Sequence, residues 1–166
     1  AWGRLDVLVN NAGPMIEASA SDTPPADWRA MMEGNAGSAH YVALAALPHL
    51  RAVGGRVVNM GSLNAELARG ADDHAAYNAA KAALVVMTRS LARSEGRHGV
   101  RVNMVSPGII ATDETPERVR RSMPARIPLG RLGTPADVAE AVAFLVGDGA
   151  GYISGAVLAV SGGLWA

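Results

Sequence analysis

No cysteine occurs among the 166 residues of the chain. This absence excludes a disulfide framework, a thiolate metal site and a cysteine nucleophile, and it favours the cytoplasm as the location. Acidic and basic residues number fifteen each, so the formal net charge at pH 7 is zero. Without a net positive charge there is no long-range attraction for nucleic acid or an anionic membrane, and we expect neither as a partner.

Long apolar runs and targeting signals are also missing. The longest apolar stretch covers residues 41–47 and is far shorter than the roughly 20 residues that span a bilayer. Residues 1–6 lack the basic region and apolar core of a secretory leader and read as the middle of a domain. Because no repeat or linker interrupts the chain, we predict one partial domain over residues 1–166.

Four short apolar runs alternate with long segments of helical period. The alternation predicts an α/β fold with a parallel sheet of about four strands and flanking helices, and the first strand should be buried on both faces. Thr23-Pro24 and Thr134-Pro135 each place a capping hydroxyl before a proline at the first helical position. The predicted strands cover residues 5–10, 56–60, 100–105 and 156–160, and the predicted helices cover residues 24–51, 74–95 and 135–146.

Tyr77 and Lys81 lie four residues apart on the second predicted helix, so their side chains share one face. The pKa of a tyrosine side chain is about 10. A tyrosine therefore exchanges protons poorly at neutral pH unless a positive charge stabilises its phenolate. Lys81 is the single lysine in a chain with fourteen arginines, which indicates that this position requires an ammonium. From the spacing alone, a surface pair on an amphipathic helix stays an open alternative.

Polar and glycine-containing motifs follow three of the predicted strands. They are Asn10-Asn11-Ala12-Gly13, Gly61-Ser62 and Pro107-Gly108. In an open parallel sheet the carboxyl ends of the strands form the edge at which ligands bind. Each motif alone is compatible with a simple turn, but their occurrence at successive strand ends predicts a common site.

Several longer motifs together resemble the short-chain dehydrogenase/reductase family, in particular its members that reduce 3-oxoacyl groups on acyl carrier protein. The resemblance implies the C-terminal part of a Rossmann-type doubly wound parallel sheet. The family's N-terminal glycine-rich cofactor segment has no counterpart here, so we expect an N-terminally truncated chain. The motifs are DVLVNNAG at 6–13, RVVNMGS at 56–62, YNAAK at 77–81, RVNMVSPG at 101–108 and PLGRLGTPADVAEAVAFL at 128–145.

The resemblance also implies a catalytic set for hydride transfer between a nicotinamide and a small-molecule carbonyl or alcohol. Tyr77 would exchange the proton at the substrate oxygen, and Ser62 would orient that oxygen. Lys81 would bind the nicotinamide ribose and depress the tyrosine pKa. Asn35, which lies in an apolar part of the first helix, would hold a water molecule of the proton relay.

The cofactor implied by the resemblance is NAD or NADP, and the residue that would select between them has no counterpart in the sequence. Gly13 and Gly108 are expected to permit close approach of the backbone to the cofactor. Ile110 and Thr112 would contact the nicotinamide amide. The full set of expected cofactor-binding residues is Asn11, Ala12, Gly13, Tyr77, Lys81, Pro107, Gly108, Ile110 and Thr112.

Other functions are weaker candidates. Four scattered histidines do not form a metal-binding pattern, and an epimerase or dehydratase would need a further substrate domain. Segment 111–131 is rich in arginine and proline, and we predict a mobile lid rather than a nucleic-acid patch.

A truncated chain should expose an unpaired edge on the strand at residues 5–10. A catalytically incompetent remnant that acts in interactions therefore stays an alternative. The resemblance implies a homodimer or homotetramer, packed through small outward residues such as Ala43 and Ala79.

Overall fold

Four parallel strands form one sheet in the order β1-β2-β3-β4 in the computed structural model, which describes residues 3–66, 70 and 72–164. The predicted α/β fold with a Rossmann-type parallel sheet is confirmed, and each strand begins and ends within two residues of its predicted limits. The strands are β1 (Val7–Asn10), β2 (Arg56–Met60), β3 (Arg101–Pro107) and β4 (Val157–Val160).

Helices occupy the connections between the strands. The predicted helix over residues 24–51 is divided by a π-helical turn, Glu33–Gly37, whose two glycines weaken regular helix formation. The segment predicted as a lid contains one short helix and a 3₁₀ turn. The helices are α1 (Pro25–Met32), α2 (Ser38–Arg51), α3 (Leu63–Glu66), α4 (Ala75–Glu95), α5 (Glu117–Ser122) and α6 (Pro135–Val146). Among these described helices, none combines the length and apolar character needed to cross a membrane.

One of the two predicted helix caps is present. Thr134 accepts a hydrogen bond from the backbone N–H of Asp137 at 3.2 Å, and the Asp137 carboxylate accepts one from the backbone N–H of Thr134 at 2.7 Å. The prediction for Thr23 is wrong, because Pro24 is itself extended and occupies the cap position. The Thr23 hydroxyl instead donates to the carbonyl oxygen of Ser19 at 2.6 Å.

Successive residues of the central strands point to opposite faces of the sheet, and both faces are covered. On one face, Val57 packs against α2 and Met104 packs against α4. On the other face, Val58 packs against Leu145 of α6. The expectation that Ala43 faces outward is wrong, because this residue lies on the buried face of α2.

Strand β1 lies at the edge of the sheet and pairs only with β2 within the described part of the chain. Leu8 packs into the core beside α2, whereas Val7 and Val9 are 37% and 41% exposed on the face that α6 covers elsewhere. The prediction that this strand is buried on both faces is therefore wrong. The unpaired edge that the sequence predicted is present.

Candidate active site

The carboxyl ends of all four strands meet at one edge of the sheet because the strands are parallel. At this edge the structure brings Ser62, Tyr77, Pro107 and Gly108 together around one cavity of about 250 Å³. Ser62 follows β2, and Tyr77 lies in the first turn of α4. Two of the three motifs at strand ends thus contribute to one cavity, whereas residues 10–13 do not line it.

Helix α4 also carries Lys81, one turn after Tyr77. The Lys81 side chain is buried, at 4% exposure, and its Nζ donates a hydrogen bond to the carbonyl oxygen of Met60 at 2.8 Å. The same Nζ lies 5.6 Å from the centroid of the Tyr77 ring. The amine is therefore held between the end of β2 and the tyrosine.

Burial acts on both titratable groups of this pair. It lowers the pKa of Lys81 to about 8 and raises the pKa of Tyr77 above its ordinary value. Both shifts favour the neutral form, as expected when a charge loses water without gaining an opposite charge. The shift of Tyr77 is opposite in direction to the depression that the family resemblance implies.

Asn35 lies within the π-helical turn and is buried. Its Nδ2 donates to the carbonyl oxygens of Pro14 and Met31, each at 3.0 Å. The contact with Pro14 ties the loop that follows β1 to the first helix. Its Oδ1 is buried and has no hydrogen-bond partner within the described residues, so the site contains an unsatisfied acceptor.

The two glycines expected to approach the cofactor are packed closely against protein atoms. A Cβ added at Gly13 would lie 2.3 Å from Oδ1 of Asn35, and a Cβ added at Gly108 would lie 2.9 Å from Cα of Ser161. Both distances are far shorter than a normal contact. The absence of a side chain at these positions is therefore required by packing within the fold, whatever else binds there.

A second, larger cavity of about 660 Å³ lies beside the first and shares Pro107 with it. Of the predicted cofactor-binding residues, Asn11, Ile110 and Thr112 line this second cavity. Ala12 and Gly13 belong to the same exposed loop but do not line either of these two cavities. The remaining lining is mostly apolar and comes from Val9, Met60, Pro135, Val138, Ala139, Val142 and Ala143.

Four further residues line the smaller cavity and were not identified from the sequence: Met15, Asn64, His74 and Asn78. His74 and Asn78 could have been found by helical spacing, because His74 precedes Tyr77 by three residues and Asn78 by four. The His74 ring lies 2.6 Å from the Asp73 carboxylate. Nδ2 of Asn78 is buried without a partner among the described residues.

No group of three or more histidine, aspartate or glutamate residues in the described ranges is placed to bind a metal ion. The arginine-rich segment that we predicted to be a lid carries exposed side chains, and Arg121 pairs with Glu117 at 2.8 Å. Its motion stays a prediction.

Comparison with known proteins places these features in context. The family described as enoyl-(acyl carrier protein) reductase matches residues 1–165. The meso-2,3-butanediol dehydrogenase of Serratia marcescens is 40% identical over 97% of this chain and 64% of its own length. A 3-oxoacyl-(acyl-carrier-protein) reductase of Haemophilus influenzae is 38% identical over 99% of this chain and 69% of its own length.

A solved structure agrees with these sequence matches. An oxidoreductase of the short-chain dehydrogenase/reductase family from Burkholderia thailandensis superposes with a TM-score of 0.88 at 41% identity, covering 98% of this chain and 65% of the other. The chain therefore spans about two thirds of the length of the relatives it matches.

Replacing Gly13 tests the contact between the β1 loop and Asn35. We expect Gly13→Ala to lower the free energy of unfolding by about 1–3 kcal/mol, because the new methyl group overlaps the buried amide. Gly96→Ala is the matched control, since a Cβ there meets nothing within 4 Å. Denaturant unfolding measures both variants, and equal stability of the two would contradict the contact.

Replacing Lys81 tests the cost of burying its amine. At neutral pH we expect Lys81→Met to stabilise the folded chain by roughly 2 kcal/mol, because a pKa lowered from 10.5 to about 8 reflects an unfavourable buried charge. The unfolded lysine keeps its proton above pH 8 while the folded one loses it. Stability of the parent chain should therefore rise from about pH 8 to about pH 10.

This rise with pH should be absent from Lys81→Met. Arg89→Met, which removes an exposed charge from the same helix, should retain it. Urea unfolding at a series of pH values measures the slopes. A variant at Lys81 that keeps the parent's slope would show that the buried amine is not its source.

Proposed function

The chain belongs to the short-chain dehydrogenase/reductase family of oxidoreductases, and we propose that it transfers a hydride between NAD or NADP and a small-molecule carbonyl or alcohol. The observation that carries this proposal is that Ser62 and Tyr77 line one cavity, while the buried Lys81 lies 5.6 Å from the Tyr77 ring and bonds to Met60, which lines the second cavity. One cavity suits a small substrate, and the other has room for part of a dinucleotide.

Tyr77 is the proposed general acid and base. Burial raises its pKa, so the phenol is protonated at neutral pH and can donate its proton to a carbonyl oxygen. When bound, the nicotinamide supplies the hydride to the carbonyl carbon. Ser62 lines the same cavity, and its hydroxyl is the proposed group that orients the substrate oxygen. In the reverse direction Tyr77 must first lose its proton, and its phenolate then accepts the alcohol proton.

Lys81 is proposed to hold the cofactor ribose. An ammonium carries three N–H donors, and within the described residues Lys81 directs one of them to Met60. The other two suit a pair of ribose hydroxyls. Asn11, Ile110 and Thr112 line the larger cavity and are the proposed contacts of the nicotinamide end. The orphaned Oδ1 of Asn35 is compatible with an ordered water at the site.

The expected partner is a small molecule, and we place the enzyme in the cytoplasm. Asn64, His74 and Asn78 make one wall of the substrate cavity polar. The names of the relatives specify different compounds, a butanediol in one case and a 3-oxoacyl group on a carrier protein in the other. The proposal is therefore confined to the reaction and to the carbonyl or alcohol group.

A second candidate is a catalytically incompetent interaction module. The observation that favours it is the exposure of Val7 and Val9 beside the apolar lining of the larger cavity. Apolar groups on a sheet edge are a common basis for association. In this case the chain would fold and associate without holding a nicotinamide.

We further propose that the chain forms a homodimer or homotetramer through α2 and α4. Tyr41, Val42 and Leu44 on α2 are about half exposed, and Val86 on α4 is 64% exposed. Adjacent exposed apolar side chains on two helices are typical of a subunit interface.

Val86→Glu tests this interface. We expect the variant to lower the mass measured by light scattering, because a charge would be buried at the contact. Arg118→Glu, an exposed position on α5 and therefore outside the proposed α2 and α4 surface, is the control. An unchanged mass for Val86→Glu would contradict the proposed interface.

The enzyme proposal is tested by replacing the proposed proton donor. Carbonyl reduction is followed by the loss of NADH or NADPH absorbance over a panel of small ketones. We expect Tyr77→Phe to lower kcat by about 100-fold or more, because a positioned acid contributes this order of acceleration. Tyr152→Phe makes the same chemical change at a fully exposed position and should retain activity.

Cofactor binding separates the two candidate functions. Saturable quenching of NADH or NADPH fluorescence, weakened in Lys81→Ala, would support the oxidoreductase. A folded chain that neither binds nor turns over either cofactor would contradict it and favour the interaction module. Circular dichroism verifies folding for each variant.

A further inference from the structure

A chain of hydrogen bonds, buried at Asn59 and Thr88, runs between the sheet and α4 beside the proposed active site. Nδ2 of Asn10 donates to Oδ1 of Asn59 at 2.8 Å, and Nδ2 of Asn59 donates to Oγ1 of Thr88 at 2.8 Å. The Thr88 hydroxyl in turn donates to the carbonyl oxygen of Leu84 at 2.8 Å. Asn59 and Thr88 are both 0% exposed. The chain therefore joins β1, β2 and α4 through the core.

Each group in this series of hydrogen bonds donates to the next, from Asn10 to Asn59 to Thr88. Asn59 accepts with its oxygen and donates with its nitrogen, so its amide has one satisfied orientation. Removing a partner would leave a buried polar group unpaired, which costs more than the bond itself contributes. The arrangement is thus specific to one relative position of the three elements.

Helix α4 is attached to β2 by polar contacts at two levels. Lys81 bonds to the backbone of Met60, and Thr88 bonds to the side chain of Asn59, the preceding residue of β2. Lys81 and Thr88 are two helical turns apart on the same face, a rise of roughly 10 Å. Two such contacts fix both the rotation and the axial position of a helix, whereas the apolar contacts between them are non-directional.

We propose that Asn59 and Thr88 are positioning residues that hold α4 in register with β2 and thereby set Tyr77 and Lys81 relative to Ser62. The catalytic meaning of this inference rests on the proposed function. Its structural part does not, because the position of Lys81 can be measured without turnover. Neither residue lines the two cavities, so both act through α4.

The other end of the chain reaches the loop that follows β1. Asn10 is the last residue of β1 and directly precedes Asn11, which lines the larger cavity. Asn10 and Asn59 are also direct partners in the register of the two strands. The buried amide of Asn59 thus connects, through hydrogen bonds, the loop beside the proposed cofactor cavity to the helix that carries Tyr77.

The single lysine provides a direct probe of the position of α4. Labelling with lysine that carries ¹³C at Cε gives one side-chain NMR signal, whose pH dependence reports the environment of Lys81. The variant Thr88→Val removes the hydroxyl at nearly constant volume, and Thr88→Ser retains it. Val85→Ala is the control for stability alone, because Val85 is buried on the same helix without a side-chain hydrogen bond.

We expect the Lys81 midpoint of the parent chain at about pH 8. In Thr88→Val the loosened helix readmits water to the ammonium, and the midpoint should rise by about half a pH unit or more, a threefold change in proton affinity. Thr88→Ser should restore the parent midpoint. Val85→Ala should lower the melting temperature and leave the midpoint unchanged.

Two results would overturn the inference. One is a Thr88→Val chain that melts at lower temperature but keeps the parent midpoint; the other is an equal rise in Val85→Ala. If Thr88→Val does not fold, Asn10→Ala tests the same hydrogen-bond chain from its half-buried end. A raised midpoint there supports the inference, and an unchanged one contradicts it.

Turnover assays separate this inference from the proposed function. In an active enzyme, Thr88→Val should lower kcat with little change in KM, because the substrate cavity is intact while the proton donor is displaced. A shifted midpoint in a chain without turnover would support positioning and contradict the oxidoreductase. Unchanged kcat with an unchanged midpoint would contradict positioning alone.

Discussion

The buried amine of Lys81 is the constraint on which the arrangement of the site depends. An ammonium excluded from water requires hydrogen-bond acceptors, and the fold supplies one at the end of β2, the carbonyl oxygen of Met60. That bond can form only if α4 passes directly over the carboxyl end of β2. The same placement brings Tyr77, one turn earlier on the helix, to the cavity that Ser62 lines. A residue that is unfavourable for stability thus determines where the proposed proton donor lies, as is common at functional sites.

The loop after β1 is fixed by a different kind of contact. Asn35 reaches across from the π-helical turn to the carbonyl oxygen of Pro14, and its amide packs so closely on Gly13 that no side chain fits there. The π-helical turn therefore packs against the β1 loop only because residue 13 is a glycine. Because Asn11 lies in this loop and lines the larger cavity, the first helix contributes to the shape of that cavity without touching it.

Much of this fold was predictable because its signals are local. The parallel strands, the limits of α4 and α6 and the Thr134 cap follow from apolar runs, helical period and a capping residue. The predictions that were wrong concern residues whose conformation or exposure is determined by tertiary contacts. Thr23 precedes an extended Pro24, and Ala43 is covered by neighbouring elements. Val9 is exposed because β1 lies at the edge of the sheet. Motifs identified Ser62, Tyr77 and Gly108 at the smaller cavity, but not its other polar lining residues. The contact between Asn59 and Thr88 was also missed, since neither residue stands out until the helix is placed on the sheet.

The two cavities differ in how completely the described residues define them. The smaller one is bordered by α4, by the ends of β2 and β3 and by polar side chains, and its buried amine already has a hydrogen-bond partner. The larger one is open and mostly apolar, with Val9 on one side and α6 on the other. Proton transfer needs only the first to be organised, whereas holding a dinucleotide needs both. Organisation of the proposed catalytic residues and retention of a cofactor are therefore separable properties of this chain.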